Sequence, residues 1–234
     1  MHIFYEPDLK HNGNILNEEE SYHCIKVLRH KISDLIYVLD GNGRKFICKI
    51  IDPSPKQCKL AIQQEETSLL PESKCHIAVS PIKSQERFEW FIEKSCEIGI
   101  KEITPILCKQ SERKAIKPER LEKIITSALK QSVTLWRPKL NPLTYFNDFL
   151  TAKNDFSGQK FIATCLENNR KELKKEYKKN NNVTILIGPE GDFDIEEINS
   201  AVSNGYDIIS LSKSRLRTET AALVACNIIQ IIND

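Results

Sequence analysis

From residue 73 onwards the sequence alternates short apolar runs with amphipathic stretches, and this alternation constrains the fold more than any other feature. Residues 76–80 are typical of a buried strand, and Phe88, Ile92 and Cys96 then recur at the spacing of a helix face. The same pattern predicts strands at 103–108, 160–166, 184–187 and 208–211, with helices at 84–99, 118–129, 194–205 and 219–232. Such alternation predicts an α/β fold whose mostly parallel sheet is covered by helices on both faces.

The first seventy residues have a different pattern, which indicates a separate β-rich domain. Residues 35–39 and 45–51 are apolar and joined by Asp-Gly-Asn-Gly, which predicts a hairpin, and 58–62 predicts a further strand. We also expect a short helix within 18–29 and a linker at 65–72. The sequence therefore predicts a small β-barrel-like domain over 1–70 and an α/β domain over 73–234.

Charge is distributed unevenly along the chain, although the formal net charge is only +2. Residues 73–150 carry 14 Lys and Arg against 9 Asp and Glu. This excess is compatible either with a solvated helical surface or with a patch that contacts nucleic-acid phosphates. The 169–182 stretch is also rich in lysine, and we expect a solvated helix there.

The sequence argues against a membrane or secreted protein and against a metal site. It has no run of 18 apolar residues, and its first residues lack the basic and apolar segments of a secretory signal. The eight cysteines lie at least ten residues apart, which excludes CxxC metal or redox pairs. We expect a cytoplasmic protein with reduced, mostly buried thiols.

Three predicted strand ends carry unusual residues, and ligands of parallel sheets bind beyond such ends. The first segment is 163–167, the second contains Ile-Gly-Pro-Glu-Gly at 187–191, and the third is 210–221. The two glycines around Pro189 would let the backbone approach a flat ligand closely, although an ordinary turn is an alternative. In the third segment, Arg217 precedes Thr218, which could simply be a helix N-cap.

The absence of certain motifs narrows the chemistry. All five histidines precede residue 77, so a Ser-His-Asp or Cys-His centre within the α/β body is not expected. The sequence contains no Walker A loop and no HExxH motif. A reaction that needs neither a hydrolytic nucleophile nor a metal, such as transfer from a preactivated cofactor, fits these restrictions.

Six fragments in order carry a resemblance to a known family. They are His23-x-x-x-Val27-Leu28-Arg29, Arg87-Phe88-Glu89-Trp90 with Lys94 and 97–99, Ser111-Glu112-Arg113, Gln131-Ser132, 187–191 and 216–221. With these the chain resembles, nearly end to end, the ribosomal RNA small-subunit methyltransferase E family of the SPOUT class. That family transfers a methyl group from S-adenosylmethionine to N3 of a uridine in 16S ribosomal RNA.

The resemblance implies a fold, an assembly and a set of binding residues. It implies an N-terminal PUA-like barrel, a C-terminal SPOUT domain with a trefoil knot, and a homodimer. The implied cofactor residues are Thr164, Leu166, Gly188, Pro189, Glu190, Gly191, Leu211, Ser212, Leu216, Arg217, Thr218 and Thr220. The implied contacts to the small-subunit RNA or assembled subunit are Arg29, Arg113, Lys114, Gln131 and Ser132.

Arg217 is our candidate catalytic residue, since a cation would stabilise the uracil anion that forms when N3 loses its proton. Its alternative role is a structural ion pair with Glu190 or Glu219. Two other functions stay open: a SPOUT enzyme that methylates transfer RNA at a ribose or another base, and a non-catalytic RNA-binding assembly factor.

The chain departs from the family pattern at three places. Asp192 stands where a second glycine usually follows Gly-Pro-Glu-Gly, Ser212 stands where glycine is common, and Ser214 with Arg215 replaces Arg-Ile. We expect a Cβ at residue 212 to narrow the approach of the cofactor.

Overall fold

The computed structural model describes residues 2–152, 158–166 and 170–234. The chain divides into two compact units, one formed by residues 1–70 with 126–137 and the other by 71–125 with 138–234. The sequence pattern alone assigned 126–137 to the larger domain. Its place in the smaller unit arises from contacts distant in sequence, such as the Trp136 indole N–H that donates to the Leu69 carbonyl at 3.1 Å.

The smaller unit is built on a four-stranded sheet in the order β1-β2-β3-β4. Its strands are β1 (Ile3–Tyr5), β2 (Leu35–Leu39), β3 (Arg44–Asp52) and β4 (Lys59–Thr67). The predicted hairpin is confirmed, with Leu39 opposite Lys45 at the turn. β1 lies parallel to β2 and was not predicted, because three residues are too few to show an alternating pattern.

Two other predictions for this unit need correction. The helix expected within 18–29 is a short α1 (Glu18–Tyr22) followed by a π-helical turn (His23–Val27). The stretch expected to be a linker from residue 65 begins inside β4, where Glu65 pairs with Phe46 and Thr67 with Arg44. The polar outer residues of this strand conceal it in the sequence, since only alternate positions of a half-exposed strand face the core.

The larger unit contains an eight-stranded sheet, and every strand pair described in it is parallel. The strand order is β10-β12-β9-β11-β5-β6-β7, with β8 paired to β6. The strands are β5 (Cys75–Val79), β6 (Glu102–Leu107), β7 (Lys139–Leu140), β8 (Thr144–Tyr145), β9 (Gln159–Ala163), β10 (Lys171–Glu172), β11 (Val183–Ile187) and β12 (Asp207–Ser210). The predicted α/β fold with a parallel sheet is confirmed. The trefoil knot stays a prediction.

The four helices predicted at 84–99, 118–129, 194–205 and 219–232 are confirmed, with ends that differ by up to three residues, whereas the short helix at Phe146–Thr151 was not predicted. The helices after β5 are α2 (Gln85–Ile98), α3 (Pro118–Ser132), α4 (Phe146–Thr151), α5 (Leu173–Glu176), α6 (Ile195–Ser203) and α7 (Thr218–Asn233). Ser84 caps α2, and Gly99 ends it with a φ of 103° that suits glycine. Asp194 and Glu197 form the predicted capping box of α6.

The prediction of a solvated helix over 169–182 is wrong for most of that range, and residue 169 lies outside the described residues. Lys171 and Glu172 form β10 against β12, and α5 ends at Glu176. Leu173 is fully buried, and the Tyr177 hydroxyl donates to the Asn181 carbonyl. Tertiary contacts at these two residues override the helix propensity of the lysines.

All eight cysteines are free thiols; seven are buried and Cys165 is exposed. Across the described residues, every helix is too short or too polar to cross a bilayer. These residues also contain no group of three or more His, Cys, Asp or Glu side chains able to hold a metal ion.

His76 lies in a buried polar network between the central strands of the larger unit. Its Nε2 is 2.7 Å from the Thr104 hydroxyl, and its Nδ1 is 3.5 Å from the hydroxyl of Thr184. The Asn141 amide donates to Thr104 and to Glu102. Burial lowers the pKa of His76 to about 4, although the Glu102 carboxylate acts in the opposite direction. The native state therefore favours neutral His76.

We expect the free energy of unfolding to fall as the pH drops from about 6.5 to about 4, because the unfolded chain takes up a proton at His76 before the native state does. The shift corresponds to a loss of at most ~3 kcal/mol. His76→Asn should flatten this part of a pH series of urea unfolding curves. His11→Asn, at an exposed histidine, is the control. Equal slopes in wild type and His76→Asn would contradict this assignment.

Candidate active site

The three strand ends singled out in the sequence meet at one edge of the sheet. β12, β9 and β11 are neighbours in the sheet, so the segments that follow them emerge side by side. Together they enclose a cavity of about 470 Å³, within the usual range for small-molecule sites. The residues that line it are Ala163, Thr164, Cys165, Arg170, Ile187, Gly188, Pro189, Glu190, Asp192, Ile209, Ser210, Leu211, Ser212, Lys213, Ser214, Arg215, Leu216, Arg217, Thr218 and Ala221.

Gly188 opens the second segment, and the packing beside it leaves no space for a side chain. A Cβ at this position would lie 3.0 Å from the Phe193 ring and 3.2 Å from the Phe193 backbone nitrogen. Phe193 is buried and packs against Phe146, so the ring has no room to retreat. The glycine therefore allows Phe193 to pack closely against the start of the segment.

Hydrogen bonds join the second segment to its neighbours on three sides. The Thr218 hydroxyl donates to the Gly188 carbonyl at 3.0 Å, which corrects the expectation that Thr218 is the N-cap of α7. The N-cap is Arg217, and its side chain makes no capping bond. Glu190 Oε1 accepts from the Lys83 backbone N–H at 3.0 Å, and Asp192 Oδ2 accepts from the Cys165 N–H at 2.7 Å.

Two hydrogen bonds at Thr164 hold the first segment, which follows β9. The Thr164 hydroxyl accepts from the Leu166 N–H, and the Arg170 guanidinium donates to the Thr164 carbonyl at 2.9 Å. Thr164 itself is buried. Residue 167, which the sequence prediction included in this segment, lies outside the described residues.

The similarity of this chain to known proteins decides its family. A model described as an RNA methyltransferase domain matches residues 70–230, and one described as an RNA methyltransferase PUA domain matches residues 16–63. The ribosomal RNA small subunit methyltransferase E of Buchnera aphidicola is 32% identical, over 97% of this chain and 92% of its own length. The chain belongs to the ribosomal RNA small subunit methyltransferase E family.

Two solved structures extend the similarity to the fold. A probable rRNA-methyltransferase from Porphyromonas gingivalis has a TM-score of 0.91 and 36% identity, covering 100% of this chain and 98% of its own. A putative methyltransferase from Legionella pneumophila, in complex with the bound cofactor SAM, has a TM-score of 0.85 and 27% identity, covering 99% and 97%. The predicted family is thus confirmed, together with an N-terminal PUA domain.

Nine of the twelve residues that the family resemblance assigned to the cofactor line the cavity. They are Thr164, Gly188, Pro189, Glu190, Leu211, Ser212, Leu216, Arg217 and Thr218. Leu166 is exposed outside the cavity, Gly191 approaches Gln110, and Thr220 lies within α7 away from the lining. Their contact with a cofactor stays a prediction.

Several lining residues were not among the predicted site residues. Arg170 lies in the lysine-rich stretch that indicated a solvated helix, and Cys165 was named only as part of the first segment. Asp192 and Arg215 were noted only as departures from the family pattern. The position of each residue near a strand end could have suggested that it belongs to the site. That position does not show whether the side chain points into the cavity.

Arg217 is exposed at the cavity, and no described residue pairs with its guanidinium. The alternative that it pairs with Glu190 or Glu219 is wrong. Glu190 accepts from the Lys83 backbone, and the carboxylate of Glu219 lies 3.9 Å from the Arg87 guanidinium. A cation in this setting is available to a ligand.

The predicted RNA contacts fall in both units, and their side chains differ in availability. Arg29, Lys114 and Gln131 are exposed. The Arg113 guanidinium donates to the Ala115 carbonyl and to Gln85, and the Ser132 hydroxyl is shared between the Ala128 carbonyl and Thr134. Arg113 and Ser132 therefore shape the local backbone, and their contact with RNA stays a prediction.

Proposed function

We propose that this protein transfers a methyl group from S-adenosylmethionine to N3 of a specific uridine in 16S ribosomal RNA. The observation that carries the proposal is the cavity formed by the three strand-end segments, with the guanidinium of Arg217 at its wall and no described residue paired with it. Family membership and the SAM-bound relative from Legionella support the choice of reaction and cofactor.

The lining of the cavity suits a cofactor that has both a flat aromatic part and charged ends. Ile187, Leu211 and Leu216 supply apolar surface, while the hydroxyl of Thr164 and the backbone of 188–190 and 210–214 supply polar groups. Acidic Glu190 lies within the same cavity as several cations. We infer that these residues hold S-adenosylmethionine.

The cofactor supplies a methyl group that is bonded to a sulfonium sulfur. The leaving group in the transfer is the neutral thioether. The protein then has two tasks, to align the uracil N3 with that methyl group and to stabilise the anion formed when N3 loses its proton. Alignment alone can contribute several kcal/mol to lowering the barrier. Arg217 performs the second task, because a guanidinium beside the cavity that pairs with no described residue stabilises developing negative charge.

Nucleoside analysis of ribosomal RNA tests this function directly. Small ribosomal subunits from a strain lacking the protein are incubated with purified protein and S-adenosylmethionine, digested and analysed by mass spectrometry. We expect one 3-methyluridine per 16S RNA and none in the transfer RNA of the same strain. A methylated ribose, methylation of transfer RNA, or binding without any methylation would contradict the proposal.

Replacing Arg217 by Ala should slow single-turnover methylation by about 100-fold or more, a typical cost of removing one transition-state donor. Arg217→Lys should recover part of the rate, since it keeps the charge but loses the planar fork of donors. Rapid-quench measurement at saturating RNA and cofactor separates this step from binding. Rates equal to wild type in both variants would remove Arg217 from the mechanism.

We further propose that the PUA domain and the loop after β6 that contains Lys114 bind the RNA. Arg29 is an exposed cation in the smaller unit, and Lys114 is one in the larger unit. Lysine and arginine contacts to phosphates position an RNA without reading its sequence. The base to be methylated must also leave its stack to reach the cavity.

Reversing the charge of Lys114 to Glu should weaken RNA binding by about tenfold at low salt and reduce the salt dependence of the binding constant. Lys178→Glu is a matched control, because Lys178 is also exposed but follows α5, where its backbone N–H bonds to Gln159 at the start of β9. Fluorescence anisotropy over a range of salt concentrations measures both effects. Identical salt slopes for wild type and Lys114→Glu would exclude this contact.

We propose that the protein acts in the cytoplasm as a homodimer. Trp90 on α2 and Ile231 on α7 are exposed apolar side chains on two helices that pack together. Apolar surface of this kind is typical of subunit interfaces. The molecular mass in solution, from sedimentation equilibrium, distinguishes a dimer from a monomer.

A further inference from the structure

Asp192 has a backbone conformation that an aspartate adopts only at a cost. Its φ is 68°, in the left-handed region that favours glycine. Its own N–H donates to the Pro189 carbonyl at 3.0 Å, which closes a tight turn over residues 189–192. Such a conformation at a residue with a Cβ indicates that its side chain makes contacts that offset the strain.

The carboxylate of Asp192 makes two such contacts, both to backbone N–H groups. Oδ1 accepts from the Phe193 N–H at 2.8 Å, within its own segment. Oδ2 accepts from the Cys165 N–H at 2.7 Å, across the cavity edge in the segment that follows β9. Hydrogen bonds to an ionised acceptor are shorter and stronger than neutral ones. One side chain therefore fixes two of the three segments relative to each other.

We propose that Asp192 is a positioning residue for the cofactor, and that it holds the 164–166 segment in the place required for binding. The proposal rests on the proposed function of this cavity, which Asp192 and Cys165 both line. The Cys165 N–H is the anchor point, because among the described residues the neighbouring Thr164 hydroxyl bonds only to Leu166, within its own segment. Without the carboxylate, the first segment loses this hydrogen bond to the second.

Asp192→Gly is the sharpest variant, since glycine adopts a φ of 68° without strain. The variant should fold with a stability close to that of wild type, because it loses the strain together with the two hydrogen bonds that offset it, yet it should bind S-adenosylmethionine about tenfold more weakly, a change that corresponds to about 1.4 kcal/mol. KM for the cofactor should rise to the same extent, while kcat at saturating cofactor stays within about twofold, because binding geometry and not the transition state is affected.

Asp192→Asn tests whether both side-chain oxygens must accept a hydrogen bond for the cofactor to bind with wild-type affinity. Asparagine tolerates the left-handed region, but its NH2 group replaces one acceptor and faces a backbone donor. We expect a smaller loss of affinity, about threefold, as one of two hydrogen bonds remains. Asp148→Asn, at an exposed aspartate on α4 outside the cavity, should bind like wild type.

Amide hydrogen exchange in the ligand-free protein provides a readout that does not depend on the cofactor. The peptide containing Cys165 should exchange faster in Asp192→Gly than in wild type. If wild type binds the cofactor and Asp192→Gly matches it in affinity and exchange, the positioning role is wrong and the proposed function stands. Wild-type protein that fails to bind S-adenosylmethionine by calorimetry contradicts the proposed function, and the positioning role with it.

Discussion

The site depends on one constraint, the satisfaction of backbone polar groups where parallel strands end. Where a strand ends, the backbone N–H and C=O groups that follow no longer pair with a neighbouring strand. Each of these groups needs another hydrogen-bond partner if it is buried. In this protein the groups at the ends of β9 and β11 are partnered by side chains from neighbouring segments. Thr218 donates to the Gly188 carbonyl, and Asp192 accepts from the Cys165 N–H. These bonds fix the segments that line the cavity relative to one another.

The segment from Gly188 to Phe193 is the centre of this arrangement. It follows β11, which pairs with β5 on one side and β9 on the other, so its starting point is fixed by two full registers. Its far end is fixed by the buried Phe193 and by the capping box of α6. A segment held at both ends can support its neighbours, and its side chains at 190 and 192 do so by accepting from Lys83 and Cys165.

Much of this could be predicted from the sequence, because the signals involved are local. The hairpin turn, the Ser84 cap, the capping box at Asp194 and the apolar strands are each encoded within a few residues. The meeting of the three strand ends at one edge of the sheet could be predicted, because the carboxyl ends of parallel strands lie at the same edge. What failed depends on residues distant in sequence: the pairing of β10 with β12, the assignment of 126–137 to the smaller unit, and the hydroxyl of Thr218 turned towards Gly188. Asp192 is the clearest case, since the sequence marked it as unusual but gave no indication of its bond to Cys165.

The cationic side chains around the cavity differ in whether a described residue accepts a hydrogen bond from them. Arg170 is committed to the Thr164 carbonyl, and it therefore contributes to the shape of the first segment. Arg217 lines the same cavity but has no partner among the described residues, and the two carboxylates considered as its partners, Glu190 and Glu219, interact elsewhere. An unpaired guanidinium gains nothing for the folded state, whereas its field is undiminished for a ligand. The separation of roles follows: hydrogen-bonded side chains hold the cavity in place, and we propose that Arg217, which has no partner among the described residues, stabilises the charge that develops during the reaction.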